Sequence, residues 1–198
     1  MARVSLKAQQ SERTKAALVA AGRELFARHG YAGVSAEEVA AAAGVTTGAV
    51  YHQFESKRGL FVAVFEAVER DLTVRVGAAA GAAVDPWRGF QSACLAFLEA
   101  AAEPDVRQVL LIDGRSVLGW DEWHDIMARY GLGMTRAVVS SLIEAGALPS
   151  LPIEAFTAAL FGALNEAAVY VATADEPRVA REEMGQALSG ILEALRQA

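Results

Sequence analysis

The 198-residue sequence predicts an all-α fold on three observations. Apolar residues recur at three- and four-residue spacing, as in Leu18, Ala21 and Leu25 or Leu60, Val64 and Ala67, and alternation of period two is hard to find. Ser, Thr and Asp stand where helix N-caps are needed, and Gly stands where helices end. Hydrophobic residues make up 54% and prolines number only 5, a balance too apolar and too poor in breakers for a disordered chain.

The elements follow in order. A first helix runs from about Ser11 to His29 and stops at Gly30. Ser35 and Glu38 have capping-box spacing and start a second, short helix that ends at Gly44. Thr46 or Thr47 caps a third, running to about Phe54, and Ser56 caps a fourth through Leu60, Val64 and Val68. Ala78 to Val84, rich in Gly and Ala, marks a weakened boundary. Asp85 with Pro86 opens a fifth helix, as cap and first helical residue. Pro104 opens a short sixth helix ending near Asp113-Gly114. A long helix then runs from Gly119–Asp121 through Trp123, Ile126 and Met134 to Gly146. Two last helices span about Ile153 to Thr173 and Pro177 to Gln197.

Charge divides the chain. Residues 1–60 hold eight Lys/Arg against five Asp/Glu, and residues 61–198 hold ten against nineteen, so the net −6 conceals a basic N-terminal part. A local basic patch acts independently of a distant acidic body, because screening takes hold over roughly 8–10 Å. The lone Cys94 allows no internal disulfide and belongs in an apolar helix. No apolar leader follows Met1, which gives a cytoplasmic expectation. The run Ala155 to Ala174, interrupted by Asn165 and Glu166, is expected as a buried protein helix, with no membrane partner. Gly22, Gly30 and Gly33 lack phosphate-loop spacing, and His29, His52 and His124 lack metal-ligand neighbours, so neither cofactor, metal nor enzymatic chemistry is expected.

Glu38 to Lys57, EVAAAAGVTTGAVYHQFESK, carries the functional signal. Two short helices joined by a turn at Gly44-Val45 make a helix-turn-helix, whose second helix enters a DNA major groove. Val39, Val45, Val50 and Phe54 supply the side that packs on the first helix, with Ala40 small enough for close approach. Thr46, Thr47, Gly48, Ala49 and His52 are left facing outward. Short side chains at a helix N-terminus approach base edges, and its amides favour phosphate.

With Leu25-Phe26, Gly30-Tyr31, Ser35, Val39-Ala40, Ala43-Gly44-Val45, Gly48 to Phe54, Ser56-Lys57 and Leu60-Phe61, residues 11–61 resemble the tetracycline-repressor (TetR) family of bacterial regulators. The resemblance implies that Tyr51 and Lys57 hold phosphates, that Ser35 contacts the backbone through its cap, and that Thr46, Thr47 and Gly48 lie nearest the bases. Gln53 departs from the histidine or tyrosine common at its position, which makes its phosphate contact less secure. Arg3 and Lys7 in the preceding tail offer further contacts.

Residues 1–60 are thus expected as the DNA-binding domain, with the helix from Ser56 as a link, and residues 61–198 as an effector-binding and dimerisation domain. A palindromic operator demands two-fold symmetry. Phe156, Leu160 and Leu164 on one late helix and Leu188 and Leu192 on the next are the expected dimer residues, and the resemblance implies a four-helix bundle between subunits. Phe97, Trp120 and Trp123, with the polar Arg115, His124 and Asn165, are the candidate effector pocket. The expected function is a homodimeric repressor released from double-stranded operator DNA by a small apolar or amphipathic effector. The alternative is a helical ligand-binding or scaffold protein of the same fold without operator recognition.

Overall fold

The computed structural model describes residues 6–197 and contains only helices among them. Helices α1 (Leu6–His29), α2 (Ala36–Ala42) and α3 (Thr47–Phe54) form a small head around the start of α4 (Lys57–Gly81). The body follows as α5 (Pro86–Ala100), a π-helical segment (Val106–Asp113), α6 (Gly114–Leu118), α7 (Trp120–Arg129), α8 (Gly131–Glu144), α9 (Ile153–Thr173) and α10 (Pro177–Gln197).

Local chemistry sets these starts. The Ser35 hydroxyl accepts from the Glu38 amide at 3.2 Å, and the Glu38 carboxylate accepts from the Ser35 amide at 2.7 Å. Those bonds from Ser35, the backbone one foremost, hold the Glu38 carboxyl below its ordinary range. Ser56 caps α4 by accepting from Gly59, and Asp85 caps α5 by accepting from Arg88.

Two departures from the sequence reading have physical causes. Gly114, expected as a helix stop, is helical: a side chain there would meet Phe65 Cε2 at 2.5 Å, so its bareness serves packing of the π segment and α6 against α4. The helix instead ends at Gly119, with φ +76°. The long helix expected to reach Gly146 breaks at Tyr130 (φ −119°, ψ −103°) into α7 and α8. Gly131 and Gly133 sit at that break, where Gly131 admits the Phe161 ring and Gly133 the carbonyl of Ala128. In addition, α1 begins at Leu6, earlier than expected; α4 runs from Lys57 through residue 60 to Gly81, as the linking helix expected from Ser56.

One continuous core joins head to body. Leu18, Phe26, Val39, Val50 and Phe54 pack with Leu60, Phe61 and Val64 of α4, and the same cluster continues through Val68, Leu72, Val106, Val109 and Trp123. A second cluster gathers α5, α8, α9 and α10 around Phe90, Leu98, Leu142, Leu164, Val171 and Leu192. Polar clamps reinforce the first. Arg23 of α1 bonds Asp71 of α4 and Asp105 next to the π segment, at 2.5 and 2.7 Å. Asp113 accepts from the Tyr31 amide at 2.7 Å, and Arg58 donates to the carbonyls of Val117 and Leu118 and to Glu122.

Glu69 of α4 is the ionisable acid buried in this interior among the described residues. It is 7% exposed and makes no hydrogen bond or ion pair among the described residues. Burial pushes its carboxyl from 4.5 up to about 7. A pKa raised by folding makes the native state bind a proton between those values, so stability falls as pH rises from 4.5 to 7. Glu69→Gln is therefore expected to stabilise the protein by on the order of 2 kcal/mol at pH 8 and by almost nothing at pH 4.5, read from urea unfolding at both pH values.

Candidate nucleic-acid interface and ligand cavity

The head turns one side of α3 outward because the other is fully used. Val50 and Phe54 are buried, and the Gly44 turn (φ +68°) directs the chain from α2 into α3 with nothing packed over it. Thr46 and Gly48 are exposed, Thr47 is half-buried, His52 is exposed, and Tyr51 is 50% exposed despite its apolar ring. Thr46 occupies the N-cap position of α3 without a side-chain cap, which keeps amide donors at that end available to an anion. Exposed hydroxyls, an aromatic and an imidazole at an uncapped helix end form a surface that fits a groove and its phosphates.

Three of the expected contact residues are engaged inside the chain. Lys57 donates from Nζ to the carbonyls of Tyr31 and Val34 at 3.0 and 2.9 Å and lies 4.0 Å from the centroid of the Tyr31 ring. It ties the turn between α1 and α2 to α4, because that turn leaves carbonyls within its reach. Gln53 donates to the Ser11 hydroxyl at 2.9 Å, joining α3 to α1. The Ser35 hydroxyl bonds Glu38 in both directions. Lys7 lies exposed at the start of α1, and Arg3 lies outside the described residues.

The body holds two chambers. An outer cavity of about 490 Å³ is lined by Arg115, Trp120, Trp123, His124, Asn165 and Glu166, among others. Trp120 and Trp123 are 5.7 Å apart between ring centroids, His124 stacks 5.8 Å from Trp120, and the Arg115 guanidinium lies 4.5 Å over Trp123. An inner, almost wholly apolar cavity of about 270 Å³ is lined by Phe90, Cys94, Phe97, Thr135, Val138 and Leu164, with Phe161 and Asn165 shared between the two. Asn165 donates to the Phe161 carbonyl at 2.9 Å, which fixes its amide where the chambers meet. Phe97 thus belongs to the inner chamber, Arg115, Trp120, Trp123 and His124 to the outer one, and Asn165 to both.

The sequence reading missed Glu69, which lines a recess beside both chambers. The signal was present: Glu69 stands four residues after Phe65 and three before Leu72, on the buried stripe of α4. Burial pushes the Cys94 thiol up to about 12, which leaves it an inert part of the wall.

The expected dimer residues are largely buried within the single chain. Leu160, Leu164, Leu188 and Leu192 are each at most 9% exposed within the single chain, and Phe156 is half-buried against the same core. Their side chains are consumed by packing between α9, α10 and the rest of the body. The outward faces carry instead the exposed Ala159, Gly162 and Ala163 of α9 and Gly190, Ile191 and Ala194 of α10. Helix α9 is long and apolar enough, by length and composition, to cross a membrane, and only 39% of that stretch is buried in the chain, less than expected from the sequence.

Comparison with known proteins agrees with this architecture. The model for bacterial regulatory proteins of the tetR family matches residues 18–64, and that for the tetracyclin repressor-like C-terminal domain matches residues 87–195. The crystal structure of a TetR-family transcriptional regulator from Pectobacterium atrosepticum is 32% identical, covers 94% of this chain and 96% of its own, and superimposes with a TM-score of 0.84. The Transposon Tn10 TetC protein of Escherichia coli is 28% identical over 135 residues, a match spanning 66% of each chain and so just under two thirds of that relative. AibR, solved in complex with isovaleryl coenzyme A and operator DNA, shares the fold at 18% identity and a TM-score of 0.64, covering 90% of this chain and 97% of its own. With a reading head and a helical body both matched, the chain belongs to the TetR family of DNA-binding transcriptional regulators and is not an enzyme.

Proposed function

We propose that this protein is a cytoplasmic homodimeric repressor that binds a palindromic operator and is released by a small apolar or amphipathic effector. The observation that carries this reading is the exposed, uncapped end of α3, held on a head whose core continues into the wall of a cavity in the body. Thr46, Thr47 and Gly48 approach base edges, and Tyr51 and His52 hold the flanking phosphates. Lys57 and Gln53 act by fixing the head's shape. AibR, which takes both a small molecule and operator DNA, supports the combination on this fold.

The second copy docks on the outward faces of α9 and α10, where Ile191 is 57% exposed beside small residues that permit close helix approach. That contact covers the apolar side of α9 and sets two α3 helices for successive major grooves, about 34–36 Å apart or a multiple of it.

The stretch from Asp105 to Glu122 connects the two ends. Its Leu110, Leu111, Arg115 and Trp120 line the outer cavity, while its Asp105 and Asp113 hold α1 and its Val117, Leu118 and Glu122 hold Arg58. An effector seated against the cavity side shifts this stretch and with it the head's angle. A differential affinity of about 1–3 kcal/mol changes operator affinity roughly 5–150-fold.

Two tests follow. Tyr51→Ala is expected to weaken operator and non-specific DNA together and to flatten the salt dependence, and Thr47→Ala to alter preference among sequences, both read by gel shift at several salt concentrations. Lys57→Ala is expected to lower the melting temperature of the head as well as DNA affinity. Ile191→Glu is expected to convert the dimer to monomer by light scattering and to lower operator affinity at least tenfold or so, since a monomer loses one half-site. A dimer that persists with Glu at position 191 places the interface elsewhere.

A further inference from the structure

Glu69 is a carboxylate 7% exposed that has no hydrogen bond or ion pair among the described residues, and it lines a recess beside a ligand-sized cavity, which leaves room for a counterpart from outside the chain. Glu69 faces Phe65 and Leu72 of its own helix, Phe97 of α5, Val106, Leu110 and Leu111 of the π segment, Trp123 and Met127 of α7, and Asn165 of α9. None of these is charged or titratable. Among charged or titratable groups, Arg115, His124 and Glu166 line the outer chamber and Cys94 the inner one, and Tyr130 precedes the Gly131 that adjoins Glu69. Leaving a buried carboxylate without a hydrogen bond is costly, so the arrangement persists for a reason other than stability.

The recess measures about 20 Å³. One water-sized group needs roughly 10–15 Å³ of such space, so a single small head group fits, and a quaternary ammonium does not. Phe65, Phe97 and Trp123 wall the recess with aromatic rings, which favour a cation. An anionic head group would meet the carboxylate with like charge. Gly131, also in the wall of the inner chamber, brings that chamber close: a methyl group there would stand 3.8 Å from Glu69 Oε1. Asn165 borders the recess and both chambers, with its carbonyl oxygen not engaged among the described residues.

We propose that Glu69 is the head-group receptor of the ligand cavity, and that the chain takes an amphiphilic primary amine. Its ammonium sits against Glu69 and its apolar body occupies the chamber lined by Phe90, Cys94, Phe97 and Val138. This rests on reading the cavity as the effector site. The ammonium donates to the Glu69 carboxylate, and Asn165 accepts a second of its hydrogens. Charge pairing supplies what the empty protein lacks, and the apolar chamber selects the body by its length.

The test is calorimetric titration of the full chain with n-octylamine, n-octanol and octanoate at pH 8, repeated on Glu69→Gln, whose melting temperature reports that it folds. The amine is expected to bind about tenfold or more tighter than the alcohol, and octanoate weakest. Glu69→Gln is expected to erase the preference for amine while leaving the alcohol within about threefold of its wild-type affinity. Because burial holds the Glu69 carboxyl at about 7 in the empty protein, ammonium binding below that pH must expel a proton. Amine affinity of the wild type should then fall by up to about tenfold per pH unit below 7, and that of Glu69→Gln should stay flat. Equal affinity for amine and alcohol, or a preference that survives Glu69→Gln, overturns the head-group assignment and leaves the cavity as an effector site. Failure of all three probes to bind overturns both.

Discussion

Helix α4 buries Leu60, Phe61 and Val64 beneath the head and Val68, Leu72 and Val76 among the body helices, so one rigid rod of 25 residues belongs to two structures at once. Each fully buried apolar side chain stabilises the fold by roughly 1.5–3 kcal/mol, and separating the head from the body would expose several together. The head consequently has little freedom to move alone. Whatever tilts α4 tilts α3, and whatever rearranges the π segment acts on α1 through Arg23 and Asp105 and through Tyr31 and Asp113. These contacts are short, partly buried and spread over three elements, which suits a lever better than a hinge.

The same constraint explains why polar residues in the head have intrachain partners that the sequence does not announce. In isolation Lys57 and Gln53 are a cation and an amide beside a recognition helix, and pairing them with phosphate follows from chemistry alone. The chain has its own claims on them: the α1–α2 turn leaves carbonyls of Tyr31 and Val34 open, and the Ser11 hydroxyl faces α3. Residues whose role is local, such as the Ser35–Glu38 box, the Ser56 and Asp85 caps and the Gly44 turn, were legible because their partners lie within a few positions. Residues whose partners are tens of positions away were not. Arg58, which reaches Leu118 and Glu122, gives no sign of it in the sequence.

Periodicity likewise located the helices and missed how they meet. Gly114 reads as a terminator and serves as a bare seat for Phe65, and the pair Gly131 and Gly133 reads as tolerated within one long helix and marks a break that seats Phe161. Leucines on α9 and α10 outnumber what one face requires, but the three-dimensional packing of α5, α8, α9 and α10 absorbs them, and alanine, glycine and Ile191 are left outside. The candidate cavity was legible in part. Arg115, Trp120, Trp123, His124 and Asn165 meet around one space although they come from three helices. Glu69 went unseen because a glutamate is read as solvated by default, and only its register between Phe65 and Leu72 argues otherwise.

Placing the protein's outward α3 face at the centre of its function makes one measurement decisive. Purified full-length protein, incubated with fragments of genomic DNA and washed at moderate salt, should retain a small set of fragments that share an inverted repeat, with half-sites one or a few helical turns apart. Retained fragments that share no repeat, with sequence content matching the input, would contradict the account.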